Sequence, residues 1–274
     1  MTDPADPNAR FQRAKDLIEQ AKAQLTEAHK ELIALRGGVQ HARSRGRIQR
    51  EIWTCERALD TRNDYFSEAG QDAFLDQHVF RTKRGGTFVE IGGYDGVTGS
   101  NCLFFEMRRG WNGLVVEPAP TLFEACSTAR RVPCIQAALG PEPGTAEFFE
   151  VTAGLKQMGG LIATYDATMR AAVEADPRHQ GRTIEVEVTT LAALLDTHGL
   201  TAIDYVSLDV EGAELSILSG FPFERYEIGA MTVENRDGAR EIPDLMKNQG
   251  FQRVEALGVD DLYVSEKLLG RHKS

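Results

Sequence analysis

The 274-residue chain has only four cysteines, and they form no C-x-x-C pair and no His/Cys cluster at zinc spacing. That excludes a disulfide-stapled scaffold and a zinc ribbon. Cys55, Cys102, Cys126 and Cys134 read as small buried apolar residues. No apolar run approaches the roughly 18–20 residues of a membrane span. The opening Met1-Thr2-Asp3-Pro4-Ala5-Asp6-Pro7 lacks the basic-then-apolar layout of a signal peptide and reads as the frayed tail of a cytoplasmic protein. Basic charge is scarce overall. A net charge of −10 argues against a whole-surface nucleic-acid binder.

The charge is uneven, and this divides the chain. Residues 1–62 carry 12 Lys/Arg against 9 Asp/Glu, whereas the rest carries 19 against 32. The first part has a helical seam. Phe11, Ala14, Ile18, Ala21, Leu25, Ala28, Leu32 and Leu35 recur at alternating spacings of 3 and 4, with Ala at every second position up to Ala28. Gly37-Gly38 ends that helix. A second, from about Gln40 to Asp60, carries Ala42, Ile48, Ile52, Cys55 and Leu59. The pair predicts a helical hairpin or coiled coil that mediates self-association; the other reading folds it onto its own catalytic part. Arg36, Arg43, Arg45, Arg47 and Arg50, with His41, lie in a stretch without acids from Leu32 to Arg50. Such a run holds an anionic partner, forms a solvated face, or pairs with acids elsewhere in the protein.

From Phe66 onward, strand-length apolar runs alternate with amphipathic stretches, the pattern of a mostly parallel sheet covered by helices. Strands are predicted at Thr87–Ile91, Gly113–Glu117, Cys134–Ala138, Tyr205–Asp209, Ala230–Glu234, Phe251–Leu257 and Asp261–Ser265, the last two as an antiparallel hairpin. Ala146–Val151 and Thr183–Val188 alternate polar and apolar residues and form a strand pair. Between them, residues 152–182 exceed a usual connection and predict a substrate lid, or else a plain surface excursion. The expected organisation is a helical segment over 1–62 and an α/β catalytic domain over 63–274.

The best local signal is Glu90-Ile91-Gly92-Gly93-Tyr94-Asp95-Gly96, a buried strand running into a Gly-rich turn. A helix is expected behind it from about Ser100. Glycines let a backbone approach a ligand closely. The spacing is not the G-x-G-x-x-G of a dinucleotide fingerprint, which argues against a nicotinamide oxidoreductase. Glu117, about twenty residues on at the next strand tip, stands where an acid accepts bonds from ribose hydroxyls. The order E-x-G-G-x-x-G is closer to the turn of an S-adenosylmethionine-dependent methyltransferase. Its cofactor has no pyrophosphate, and its ammonium and sulfonium favour nearby acids; Glu90, Asp95 and Asp209 are the candidates.

From roughly Tyr65 to Val264 the chain resembles the FkbM family of methyltransferases. The resemblance rests on Phe66–Asp72, the Glu90–Gly96 turn with Ser100-Asn101, Val116-Glu117-Pro118, Cys134–Gly140, and Ser207-Leu208-Asp209-Val210-Glu211-Gly212-Ala213-Glu214. It implies a Rossmann-like α/β fold with a seven-stranded sheet, and an enzyme that methylates a hydroxyl of a sugar, glycan or small natural product. Gly92, Gly96 and Glu117 would hold the cofactor, with Ala138 in the fourth block. Asp72 and Ser100 border its methionine end by the same resemblance.

A neutral hydroxyl is a poor nucleophile, so a group must take its proton. Asp209 and Glu211 at one strand tip and Glu234 at the next are the catalytic candidates, and Gly212 would leave room for a ligand. Asp209, Glu234 and Asn235 are similar to the acid and acid-amide set of metal-dependent catechol O-methyltransferase and could hold Mg²⁺. The departure is Gly212, which stands where that family has a catalytic Lys. The rival is a metal-free site with Glu211 or Glu234 as general base. His78 and His198 read as surface or structural residues, and His179 lies in the 152–182 stretch. A reading of another class is a non-catalytic assembly protein whose coiled coil works and whose α/β part is a nucleotide-responsive module.

Overall fold

The computed structural model describes residues 7–59, 65–165, 167–236 and 238–271. The tail expected over Met1–Pro7 lies outside them except for Pro7, which begins the first helix, and the boundary at 62/63 also lies outside them. Two helices come first, α1 (Pro7–Gly38) and α2 (Ala42–Ala58). Among the described residues eleven strands follow: β1 (Thr87–Ile91), β2 (Asn112–Val116), β3 (Cys134–Ile135), β4 (Ala138–Leu139), β5 (Gly144–Ala153), β6 (Gly160–Leu161), β7 (Gln180–Thr189), β8 (Ala202–Leu208), β9 (Glu227–Glu234), β10 (Phe251–Leu257) and β11 (Asp260–Ser265).

The main sheet has seven strands in the order β10-β11-β9-β8-β1-β2-β3. Only β11 runs antiparallel to its neighbours. This is the Rossmann-like arrangement of methyltransferases. The chain starts at β1, builds outward to β3, then returns to β8 on the other side. The switch between β1 and β8 leaves a crevice at the carboxyl ends of the strands, where open α/β sheets bind ligands. Both faces are covered, so central strands are nearly continuous in apolar residues. Val89, Ile91, Leu114, Val116 and Leu208 pack on one face. Phe88, Val115 and Tyr205 pack on the other. Strand alternation puts Glu90 on this second face, among helices.

The expected strand Cys134–Ala138 is two strands in two sheets. Glu117 N–H donates to Ile135 O as the last rung of β2 on β3. The next donor on that side, Ala119 N–H, turns to the Glu117 carboxylate at 2.9 Å, so the ladder stops. The chain then crosses into a second sheet of order β4-β7-β5-β6. There the expected strand pair is present, antiparallel with Ala146 opposite Val186, and longer at each end than the alternation indicated. The helix expected from Ser100 starts at Leu103.

The helical hairpin folds back on itself, with His29 Nε2 3.3 Å from Glu56 Oε1. It also docks on the α/β part. Trp53 is buried and donates from Nε1 to Ser67 O at 2.7 Å. Gly46 and Gly258 touch backbone to backbone: Gly258 N–H donates to Gly46 O at 3.1 Å, and a Cβ on Gly46 would sit 2.4 Å from Gly258 O. The arginine run supplies the charges for this contact. Arg36 and Arg45 pair with Glu255 at 2.5 and 3.2 Å, Arg43 pairs with the buried Asp261, and Arg50 lies 2.9 Å from Glu68. The second half of α1 packs on α2, but residues 10–24 run past its end with every side chain exposed, and Leu25 is the first that is partly buried. No described helix is long and apolar enough to cross a membrane.

Candidate functional site

The Gly-rich turn follows β1 directly. Gly92 N–H and Gly93 N–H both donate to Val116 O at 3.0 Å, which folds the turn over the tip of β2. Gly92 has φ +88°, and a Cβ there would lie 1.9 Å from the carbonyl oxygen of Asp209. Only glycine lets the β1 and β8 tips close together this way. Gly96, also left-handed, packs against Cys126 and Arg130 instead of facing the crevice. It shapes the turn and is not itself a ligand contact. Asp95 does the same, accepting from Val97 N–H, Thr98 N–H and Thr98 Oγ.

Between these strand tips lies a cavity of about 290 Å³, the size expected of a small-molecule site. One end is walled by Ile91–Tyr94, Glu117–Ala119 and Ala137–Leu139, with Phe148 and Leu122 as apolar cover. Glu117 is 5% exposed and accepts from Tyr94 N–H and Ala119 N–H, both at 2.9 Å. Burial pushes its carboxyl up to about 7, against the pull of those two bonds. Ala138 lines the same end, as the sequence indicated.

Glu90 and Ser100 also line the cavity. The Glu90 carboxylate is already engaged. It accepts from Ser100 Oγ at 2.8 Å and Asn101 N–H at 2.9 Å, and it pairs with Arg130 Nη1 at 2.5 Å. Arg130 is also 2.7 Å from Glu106, forming a buried triad. Glu90 therefore anchors the turn more than it offers charge to a ligand. Asp72 does not line the cavity. It is fully enclosed and accepts from Phe66 N–H, Ser67 N–H, Ser67 Oγ and Ala73 N–H, so it stitches the Phe66–Ala73 loop. Burial still lifts it to about 6.

The other end of the cavity holds Asp209, Glu211 and Glu234. Their carboxylate oxygens lie within 4.8 Å of one another. Asp209 extends β8, its N–H donating to Ile91 O at 3.1 Å. Glu211 sits at φ +59°, a left-handed conformation unusual for a residue with a side chain. Glu214 explains how the loop holds it: its carboxylate accepts from Val210 N–H at 3.0 Å and Gly212 N–H at 3.1 Å. The space beside Gly212 faces Thr164 O, 2.7 Å from where a Cβ would stand, and not a ligand. Burial and mutual repulsion raise the carboxyls of Asp209 and Glu234 well above their usual range. Burial raises Glu211 to about 7, held there against the opposing charge of Arg236.

Arg236 is the residue that sequence reasoning missed. Its Nη2 lies 2.9 Å from Glu211 Oε2 and also binds Glu234 Oε1. Its signal was its place two residues beyond Glu234 at the strand tip. Asn235, expected as a metal ligand, points elsewhere. It is buried and donates to Asp261 Oδ2 at 2.8 Å and Ala239 O at 3.0 Å. Two further walls were not foreseen. Arg50 of α2 and Glu68 line the cavity, and so does the Gly258–Asp260 turn against which α2 packs. Lys156, Gln157, Met158 and Gly159 close it from residues 152–182, with Tyr165 donating to Met158 O. Asp166 of that segment lies outside the described residues.

Asn101 also borders the cavity. Its Nδ2 donates to Ser207 Oγ at 3.0 Å, while its buried Oδ1 has no donor among the described residues.

No curated protein matches the chain. Several solved structures resemble it at low identity. An FkbM methyltransferase from Methylobacillus flagellatus shares 13% identity over 88% of this chain, with a TM-score of 0.42. The chain spans 59% of that protein's length. A TehB-like SAM-dependent methyltransferase from Corynebacterium glutamicum shares 9% over 78% of this chain and 94% of its own, with a TM-score of 0.40. The Aeropyrum pernix fibrillarin, solved with natively bound S-adenosyl-L-methionine, shares 14% over 74% of this chain and 75% of its own, with a TM-score of 0.39. The methyltransferase FkbM domain model matches residues 90–253, from the acid of the first strand to the hairpin that carries the cavity's far wall. That match spans more than half of the chain, which therefore belongs to the FkbM methyltransferase domain family.

Proposed function

We propose that the protein is an S-adenosylmethionine-dependent O-methyltransferase acting on a hydroxyl of a sugar, glycan or small natural product. The observation that carries this reading is the Glu117 carboxylate, buried at the β2 tip against the Gly-rich turn and facing the cavity. Ionised, it accepts bonds from a ribose diol. Ala138 and Leu122 fit an adenine face, and the Glu90–Ser100 end of the cavity fits the ammonium. When bound, the cofactor supplies a methyl group already activated on a sulfonium.

The remaining chemistry belongs to the acidic end. The acceptor hydroxyl must lose a proton, and a base is most effective near the working pH. Glu211, at about 7, meets that condition. Its Oε1, the oxygen opposite the one bound by Arg236, takes the proton. Arg236 keeps the Glu211 and Glu234 carboxylates oriented and offsets the negative charge that builds there. Asp209 and Glu234 accept from other hydroxyls of the acceptor. The cavity places hydroxyl and methyl donor side by side, where proximity contributes much of the rate.

The three acids have the right chemistry for a hard cation. However, a guanidinium already bridges two of them, and Asn235 is turned away. The site therefore does not fit the acid-amide metal set, and we assign the charge-balancing role to Arg236. All four cysteines are free, which suits a cytoplasmic location. Residues 156–159 act as the lid over the acceptor.

Calorimetry tests the reading. S-adenosylmethionine should bind at one per chain and NAD should not, and label from methyl-labelled cofactor should pass to methyl glycosides in excess EDTA. Absence of binding by both ligands would favour the assembly-protein reading, and transfer abolished by EDTA would restore a metal.

A further inference from the structure

The projecting half of α1 carries large apolar residues in solvent. Phe11 is 67% exposed, Leu17 56% and Ile18 54%. Phe11, Ala14, Ile18 and Ala21 fall on one helical stripe, with Leu17 at its margin. The stripe continues as Leu25, Ala28 and Leu32, which are partly buried where α1 packs on α2. An interface formed inside the chain thus runs out along a bare helix. Residues 10–24 span about 22 Å at 1.5 Å per residue. A helix of that length is marginal in water without something to pack on.

We propose that this overhang pairs antiparallel with the overhang of a second copy, about a two-fold axis near Asp16. The stripe alternates large and small. In that register Phe11 lies opposite Ala21 of the second copy and Ala14 lies opposite Ile18, so each large side chain meets a small one. Leu17 meets its own copy across the axis. All three exposed apolar residues are then covered by one contact, which closes on itself as a two-fold pair. Parallel pairing sets Phe11 on Phe11 and Ala14 on Ala14, a bulge beside a gap, and leaves Leu17 beside Lys22. The antiparallel pair brings Lys15 near its copy at the solvent edge, where charge pairs weigh little. Lys22 is already paired with Glu19 of its own helix at 3.4 Å.

Sedimentation of the full-length chain tests the pairing. At about 10 µM it should run at twice 30.3 kDa. Ile18→Asp should run as a monomer with unchanged circular dichroism, because Ile18 touches no core of its own chain. The register is tested by cysteine cross-linking and peptide mapping. Phe11→Cys with Ala21→Cys in one chain should give an 11-to-21 disulfide between copies. Phe11→Cys alone should give none to itself, since ten residues separate the two sites by about 15 Å along the axis. A monomer up to about 100 µM, a dimer that survives Ile18→Asp, or an 11-to-11 cross-link would each overturn the proposal.

Discussion

Titration of Glu117 offers a quantitative handle on cofactor binding. The carboxyl moves from an ordinary 4.5 to about 7 because burial disfavours its charge. At 1.36 kcal/mol per pH unit, ionising it in the fold costs ~3 kcal/mol. For an acid raised in this way the folded state holds the proton more tightly. The cost is absent below about pH 4.5 and complete above about pH 7. Ribose hydroxyls need the ionised form as acceptor. About a tenth of Glu117 is ionised at pH 6 and about nine-tenths at pH 8. Calorimetry with S-adenosylhomocysteine should therefore give a Kd about tenfold tighter at pH 8. Glu117→Gln should weaken binding at pH 8 by ~1.5–3 kcal/mol, the worth of a bond to a charged group, or about 10- to 150-fold. It should also flatten the pH slope. Glu211 titrates in the same range, so the difference between wild type and variant is the quantity read. A wild-type Kd constant within about twofold from pH 6 to 8, or an equal slope in the variant, refutes the reasoning.

Other perturbations follow from the same geometry. Gly92→Ala forces a Cβ into the Asp209 carbonyl at a left-handed φ, and urea titration should show a loss of at least about 3 kcal/mol, with cofactor binding abolished. Asp209→Asn removes a carboxyl group beside two other acids. It should raise the melting temperature at pH 8, by about 1–2 kcal/mol of stability, and the gain should vanish as pH falls towards 3.8, the ordinary aspartate value; a lower melting temperature at pH 8 would contradict the repulsion argument. Arg43→Ala removes the nearer cation of the buried Asp261, leaving Arg253 at 3.4 Å, and one of two donors to Val259 O; it should cost about 2 kcal/mol in chemical denaturation, whereas Arg47→Ala, on the exposed face, should change stability by less than about 0.5 kcal/mol. Glu214→Ala frees the Val210 and Gly212 N–H groups, and proteolysis should become faster at the 210–213 loop while S-adenosylhomocysteine still binds.

Much of the fold was legible because periodicity reports burial. Strands whose two faces are both covered read as apolar runs, and every predicted strand of the main sheet has a counterpart within a few residues. The split after Ile135 was not legible, since it depends on Ala119 N–H turning to the Glu117 side chain instead of to the neighbouring strand. Glu117, Asp209, Glu211 and Glu234 were readable because strand tips at one sheet edge converge by topology. Asp72 and Asn235 were misplaced for a different reason. Whether a short polar side chain faces a cavity or ties its own loop depends on rotamer and on partners distant in the chain. Arg50 and the Gly258–Asp260 turn depend on how the helical hairpin docks, a long-range contact that no local pattern encodes.

The meeting of Gly46 with Gly258 has a practical corollary for anyone trimming the protein. Removing the two amino-terminal helices would strip the outer support from the bend ahead of Asp260 and take Arg50 with it, exposing one flank of the chamber to solvent. The amino-terminal helices should therefore be treated as masonry of the chamber, and their removal as a change to the pocket itself.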